Sequence, residues 1–277
     1  MLLFDLRTAL VILAFSPHTV PSDSVIETGD LARTSLPLQQ TEKRMRQIYE
    51  NLPVADQSIV ESSESLPMIS VIMGVYNQQD IDAFEKSVQS VLAQTYKNFE
   101  FIIYNDGSSI KEVNTYIYGL KNRDTRIHVI GSETNHGLGY ALNRCIDIAR
   151  GKYLARMDAD DISYPTRFEE EINFMETHPE YMWCGSNCKL MDDDGIWGEG
   201  VRPENPGTED YLKYSPYIQP TVMYRASLFK KVAGYAESKK TLRCEDYELF
   251  MRLFGLGYKG YNIQKVLLNY RVDRYMT

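Results

Sequence analysis

Cysteine is scarce in this chain of 277 residues: Cys145, Cys184, Cys188 and Cys244, with no C-x-x-C pair. Their spacings match no zinc pattern, and a chain of this size does not need a disulfide framework to hold a core. Cys145 and Cys184 lie in apolar segments and read as small core residues, which fits a reducing, cytoplasmic compartment. Histidine is sparse as well, and neither His128 nor His136 has a partner at metal-ligand spacing. A positive balance is absent. The 30 Lys and Arg against 38 Asp and Glu leave a formal charge of −8 and a pI near 5.2. That excludes nucleic acid as the main partner, because phosphate backbones are held by clustered cations. Long hydrophobic runs are missing too. The stretch Ala9–Phe15 is too short to span a bilayer, and Asp5 ahead of Arg7 argues against a signal peptide. No internal repeat or low-complexity tract is present.

What the chain does have is apolar mass. It is 43% hydrophobic and 12% aromatic, with 20 Tyr, enough for a core and incompatible with wholesale disorder. Two parts are expected. Residues 1–66 read as an N-terminal extension of short helices and linker. Within it, residues 1–16 are a short helix, 17–37 a Pro/Ser/Thr-rich linker, and 38–51 a polar helix with Met45, Ile48 and Tyr49 on one stripe. Its amphipathic stretches make it the expected site of oligomer contacts or of peripheral attachment to the inner face of a membrane.

Residues 67–277 read as the main domain. Strands are predicted at 69–75, 99–104, 127–130 and 152–156, and they alternate with helices at 80–93, 110–121 and 138–149. That alternation predicts βαβ units around a mostly parallel sheet flanked by helices. The second half is less regular. A helix near 166–177 leads to a strand pair around 181–191 that turns at Asp192-Asp193-Asp194-Gly195, an acidic turn read as a solvated loop. A strand at 220–225, a short helix at 226–231 and a helix at 245–256 follow.

The candidate chemistry sits at strand ends. Asp158, Asp160 and Asp161 close the fourth strand, in Met157-Asp-Ala-Asp-Asp161. Carboxylates so close repel one another, and a hard divalent cation held by one or two of them together with substrate phosphates relieves that repulsion. The competing reading is a solvated acidic turn. Asp106, in Asn105-Asp-Gly-Ser108, is either a turn-forming residue or a ligand-reading carboxylate. Asn135 and Gly137 open the 138–149 helix, where Asn135 can cap the helix or the helix end can receive phosphate. On the 245–256 helix, Asp246, Leu249, Phe250 and Leu253 share one stripe, and Glu245, Glu248 and Arg252 share another. That spacing places Asp246 inward and Glu245 towards solvent. An inward carboxylate in a first helical turn is stabilised as an anion by the helix end, while desolvation raises its pKa.

Taken in order, these segments resemble family 2 glycosyltransferases, inverting enzymes of the GT-A (Rossmann-like) fold. The motifs are Ile69–Asn77, Tyr104–Ser108, Asn135–Leu138 continuing to Asn143, Asp158–Asp161, Gln219–Arg225 and Cys244–Leu249. The resemblance covers roughly residues 67–271. It implies transfer of a sugar from a nucleotide-diphosphate donor, a UDP-sugar, to a carbohydrate or lipid-linked acceptor. It further implies that Val75, Tyr76, Asn77, Asp106, Asn135, Gly137, Asp158 and Asp161 bind the donor, with Asp106 reading the imide N–H of a uracil-type base. Asp160, with Asp158, would hold Mn²⁺ or Mg²⁺, and Asp246 would be the general base. Two departures stand out. Gly74 occupies a position that is usually Pro in the family, and was expected to let a base approach the backbone. Gln219 replaces a more usual His and so cannot titrate, which favours an orienting role. The resemblance also places Arg271 near the donor phosphates. No membrane helices follow the domain, which favours single transfers. A nucleotidyltransferase would need a Gly-rich basic loop after the first strand, and 74–79 lacks one. A non-catalytic nucleotide-sugar-binding member is the other alternative. Loss of Asp160 or Asp246 would mark it, and both are present.

Overall fold

The computed structural model describes residues 66–272 and 274. The helices and linker expected within 1–65 lie outside the described residues. Ile/Val-rich segments form the predicted first strands: β1 (Ile69–Val75), β2 (Phe99–Asp106), β3 (Ile127–Ser132) and β4 (Tyr153–Arg156). β1 pairs in parallel with both β2 and β4, and β2 pairs in parallel with β3. The connecting helices are α1 (Ile81–Leu92), α2 (Lys111–Leu120) and α3 (Leu138–Ile148). Asp80 caps α1 by accepting from the Ala83 N–H at 2.9 Å.

Side chains alternate across β1, as the two-residue period requires. Val71 and Met73 join a core with Phe84 and Val88 of α1 and Val113 and Ile117 of α2. Ile72 joins a second core on the other face, with Ala141, Leu142 and Cys145 of α3. The sheet is therefore covered on both sides, and all residues of β2 are buried. All four cysteines are free thiols, and Cys145, Cys184 and Cys188 are core residues. Trp183 is fully buried, as its apolar context predicts.

Beyond β4 the sheet is mixed. β5 is short (Ile162–Ser163), α4 spans Arg167–Thr177, and β6 (Trp183–Asp192) and β7 (Gly195–Gly200) form the expected hairpin. α5 (Thr208–Lys213) was not anticipated, since a six-residue helix leaves no periodic signature. The segment expected as a strand over 220–225 divides into a 3₁₀ turn at Gln219–Thr221 and β8 (Met223–Arg225), because Pro220 has no N–H to give a ladder. α6 (Ala226–Phe229) and α7 (Glu245–Gly255) follow, and β9 (Gly260–Arg271) closes the domain. The strand order is β3-β2-β1-β4-β8-β6-β9-β5, with β7 on β6. β8 runs antiparallel to β4 and β6, while β9 runs parallel to β6. This last strand went unrecognised in the sequence. It carries Tyr270 and Arg271 back to the acidic cluster.

The carboxyl ends of β1, β2 and β4 point to one side, where open α/β sheets bind ligands. Among the described residues no helix is long and apolar enough to cross a membrane.

Candidate active site

A cleft of about 970 Å³ opens over those strand ends, within the range of small-molecule sites. Val75, Tyr76, Asp106, Asn135, Asp158 and Asp246 all line it. Sequence positions as distant as 75 and 246 therefore meet in one cavity.

Asp106 is a heavily bonded carboxylate at the β2 end of the cleft. Its Oδ2 accepts from the Gly137 N–H at 2.8 Å, from Asn135 Nδ2 at 2.9 Å and from the His136 N–H at 3.1 Å. Its Oδ1 accepts from the His136 N–H at 3.0 Å, which leaves that oxygen room for a further donor. The carboxylate is only 2% exposed yet borders the cleft. Asn135 is not a helix cap. The N-cap of α3 is Gly137, with φ 97° and no side-chain cap. The backbone N–H groups of His136 and Gly137, just ahead of the helix, are given to Asp106. The close approach depends on Gly107, whose φ is +70° and where a Cβ would lie 2.4 Å from the Thr134 carbonyl carbon.

Asn77 and Gly137 act behind the cleft wall. Asn77, at φ 47°, accepts from the Ser109 N–H at 2.8 Å and so ties the β1 loop to the β2 loop. Gly74 lines the cleft and has a second role besides the one expected. A Cβ there would meet Leu138 Cδ1 at 2.9 Å and Ala141 Cβ at 3.1 Å, so the glycine is needed for packing α3 onto β1 as much as for access to the cleft. Asn143 is structural. It bonds the Tyr235 backbone at both N–H and carbonyl.

The acidic cluster is braced by two arginines. Arg156, fully buried, reaches Asp158 Oδ1 and the Met157 carbonyl. Burial alone would lower its pKa, but the Asp158 carboxylate beside it more than offsets that, so it stays a cation. The backbone N–H of Arg271 donates to Asp161 Oδ1 at 2.7 Å, and its guanidinium reaches the Asp160 carbonyl at 3.3 Å and Asp193 at 2.6 Å. The acidic turn at 192–194 is thus an anchor for Arg271 and Arg274. Burial, then the Asp158 charge, pushes the Asp160 carboxyl up to about 6. Burial, then the charges of Asp158 and Asp160, pushes Asp161 well above the carboxylate range, and its Oδ2 is buried without a hydrogen-bond partner.

That donor set suits a divalent cation bound chiefly by a ligand. Among the described residues no group of three or more His, Cys, Asp or Glu side chains forms a complete cage. Asp158 lines the cleft and is shared with Arg156, Asp161 is shared with the Arg271 backbone, and Asp160 stands between them in the cluster without itself lining the cleft. A hard ion taking one or two carboxylates and filling its remaining positions from diphosphate oxygens fits this arrangement.

Asp246 sits in the first turn of α7 with part of its surface in the cleft. Burial pushes its pKa up to about 6, against backbone N–H groups of Tyr247 and Asp246 that favour the anion. The expectation for Glu245 fails. It is 7% exposed and also borders the cleft. The stripe it shares with Glu248 and Arg252 faces protein rather than water, because Arg252 bonds the carbonyls of Ala233 and Gly234 at 2.7 and 2.6 Å. The helix is covered on two sides, which a single apolar stripe does not reveal. Gln219, Tyr270, Arg202 and Arg243 also line the cleft. Arg156 escaped sequence reasoning, although a lone arginine ending an apolar strand before three aspartates was a usable signal.

Known proteins with this pattern agree. The family model described as glycosyl transferase family 2 matches residues 70–248. The putative glycosyltransferase EpsE of Bacillus subtilis (strain 168) is 36% identical over 207 residues, 75% of this chain and 74% of that protein. The UDP-Glc:alpha-D-GlcNAc-diphosphoundecaprenol beta-1,3-glucosyltransferase WfaP of Escherichia coli is 31% identical over 207 residues, 75% of this chain and 78% of that protein. The crystal structure of S. aureus TarS 1–349 in complex with UDP superposes with TM-score 0.58 at 20% identity, over 74% of this chain and 60% of that one. That likeness carries the GT-A-type fold alone. The chain belongs to glycosyltransferase family 2.

Proposed function

We propose that the protein transfers a sugar from a uridine-diphosphate donor to an acceptor hydroxyl, with inversion at the anomeric carbon and Asp246 as general base. The observation that carries this reading is that Asp106, Asp158 and Asp246 line a single cleft. Each offers what one part of the reaction requires. Asp106 Oδ1 has room for one donor, as the imide N–H of uracil supplies, and the half-exposed Tyr76 ring stands at the same wall. The name of the WfaP relative specifies a UDP-sugar donor, and TarS was crystallised with UDP. Both support the choice of base.

Asp160, with Asp158, is the pair that would hold Mn²⁺ or Mg²⁺. Such an ion neutralises the negative charge that grows on the departing diphosphate. Arg156 fixes the Asp158 carboxylate from below, and the Arg271 backbone fixes Asp161. Asp246 takes the acceptor's hydroxyl proton as the oxygen attacks the anomeric carbon, and a carboxylate held at about 6 is ionised and still basic at neutral pH. Gln219 borders the same cleft and can orient an acceptor hydroxyl without exchanging protons. The acceptor is a carbohydrate, free or lipid-linked.

The test is turnover against UDP-, GDP- and dTDP-sugars with Mn²⁺. Hydrolysis or transfer with a UDP-sugar is the expected result. Equal or better use of a GDP- or dTDP-sugar overturns the assignment of the base.

A further inference from the structure

α1 packs an apolar face, Phe84, Val88 and Val91, into the core. Two polar side chains are buried with it, Ser87 within the helix and Gln94 just beyond its end, both 0% exposed. A polar group taken out of water costs free energy unless it is hydrogen-bonded. Both are bonded, and both to the segment that carries the acidic cluster. Ser87 Oγ donates to the Asp158 carbonyl at 2.7 Å. Gln94 Nε2 donates to the Tyr164 carbonyl at 2.7 Å and to Ser163 Oγ at 3.1 Å, and its Oε1 accepts from the Phe168 N–H at 3.1 Å. Between the two, Ser90 Oγ accepts from the Ser163 N–H at 3.0 Å. The chain from Asp158 to Tyr164 is therefore pinned at both ends to one helix, with Asp160 and Asp161 between the pins.

No strand runs through the cluster, since β4 ends at Arg156 and β5 begins at Ile162. Side chains hold its backbone carbonyls instead. The Arg156 carbonyl accepts from Arg167 Nη2 at 3.0 Å, the Met157 carbonyl from the Arg156 side chain and the Asp160 carbonyl from Arg271 Nε at 3.3 Å. With the Asp158 carbonyl, four of these groups are fixed by side chains. Ser87 is the neutral donor of the four. It holds the residue of the cluster whose carboxylate is shared between Arg156 and the cleft. Removing its hydroxyl breaks that bond without unpairing a charge.

We propose that Ser87 is a positioning residue for the divalent-ion site: it sets the Asp158–Ala159 peptide, and with it the directions in which the Asp158 and Asp160 carboxylates leave the backbone. It touches neither ion nor substrate and acts through that peptide. The inference rests on the reading of Asp158 and Asp160 as the metal pair. Groups that stand behind a metal's ligands orient them, and losing one typically costs about 10–100-fold in metal affinity. A neutral bond to a ligand's backbone, rather than to its carboxylate, belongs at the low end of that range.

The experiment titrates Mn²⁺ into the UDP-saturated full chain and follows free and bound ion by electron paramagnetic resonance, for the native protein, Ser87→Ala and Ser70→Ala. Ser70 is the comparison for a purely structural loss. It is equally buried, donates to Glu100 Oε1 at 2.6 Å and lies at the end of β1 away from the cleft. Ser87→Ala is expected to weaken Mn²⁺ binding by about tenfold, while UDP affinity without metal stays within about twofold of native. Ser70→Ala is expected to melt lower than native yet hold Mn²⁺ within about twofold, since distant sites act independently. Where alanine at 87 prevents folding, Ser87→Cys keeps the volume and offers only a weak donor, and it is expected to lose Mn²⁺ affinity in the same direction. Native-like Mn²⁺ affinity in the Ser87 variants, or an equal loss in Ser70→Ala, overturns the positioning role. Native binding of UDP and Mn²⁺, measured first, keeps the two claims apart. Failure there removes the donor reading and the role of Ser87 with it, whereas native binding that the Ser87 variants leave unchanged removes the role of Ser87 alone.

Discussion

Arg271 N–H and Asp161 Oδ1 meet at 2.7 Å across 110 residues of chain. The bond joins the end of β9 to the acidic cluster that follows β4, and it holds a carboxylate whose other oxygen is buried without a partner. Asp161 is therefore a buried carboxyl whose ionised form is disfavoured, kept in place by the Arg271 backbone.

Replacing Asp161 by Asn keeps the acceptor for Arg271 and removes a buried ionisable group whose charged form is disfavoured. The variant is expected to melt higher in the absence of metal, by roughly 2–4 °C for each kcal/mol recovered in a domain of this size. Its affinity for a divalent ion with UDP is expected to fall. Differential scanning calorimetry and titration with Mn²⁺–UDP measure the two effects. A lower melting point would show that the charge stabilises the fold.

Stability is expected to fall as pH rises from about 4 to about 7. Besides Asp161, three carboxyls have folded-state pKa values pushed above their ordinary ones by burial: Asp160 to about 6, Asp246 to about 6 and Glu171, beside Arg167, to about 7. Between the ordinary carboxylate range and these values the folded chain binds more protons than the unfolded one, so raising the pH favours unfolding. The stabilisation is fully present below the unfolded-state pKa values and is lost by the time pH exceeds 7. Urea midpoints at pH 5, 6 and 7.5 without divalent ions check the sign. A midpoint that climbs across this range would contradict it.

The first half of the domain was legible because each βαβ unit carries its own period. β1, α1, β2 and α3 fall within one or two residues of their predicted spans. β9 was missed because its pairing with β6 is a long-range event, and polar Asn262, Gln264 and Lys265 interrupt its apolar pattern. The acidic cluster, Asp106 and Asp246 could be read from their positions at element ends. The side chains that brace them could not. The bonding of Asp106 by the 135–137 loop depends on the backbone of Gly107, and the covered position of Arg252 depends on the carbonyls of Ala233 and Gly234. No residue pattern in α7 encodes those partners.

Truncating Asp106 to Ala strands the His136 and Gly137 N–H groups and leaves Asn135 Nδ2 only the long bond to the carbonyl of residue 106. Each donor left without a partner costs about 1–3 kcal/mol where it is buried. A melting-point drop is expected together with at least a tenfold loss of UDP affinity. Asp106→Asn, which restores one acceptor oxygen, is expected to recover stability better than nucleotide binding. Full UDP affinity in the Ala variant would remove Asp106 from base recognition.

Arg156 supplies the buried positive charge beneath Asp158 and favours ionisation of Asp246. In Arg156→Met the pH at which kcat is half-maximal is expected to rise, since the base loses a cation that favours its anion. Steady-state rates from pH 5 to 8.5 read this out, normalised to the folded fraction. An unchanged midpoint would confine Arg156 to the metal side of the cleft.

The central claim is that Asp246 removes the acceptor proton. The most direct test is single-turnover sugar transfer by the native chain and by Asp246→Asn, with UDP–Mn²⁺ binding measured on the same samples. The account predicts a native rate that rises through pH 6 to a plateau, and a loss of about 10²–10⁴-fold in the variant, the range for removal of a general base. Nucleotide affinity should stay within a few-fold of native. Transfer by Asp246→Asn at near-native rate would contradict the account.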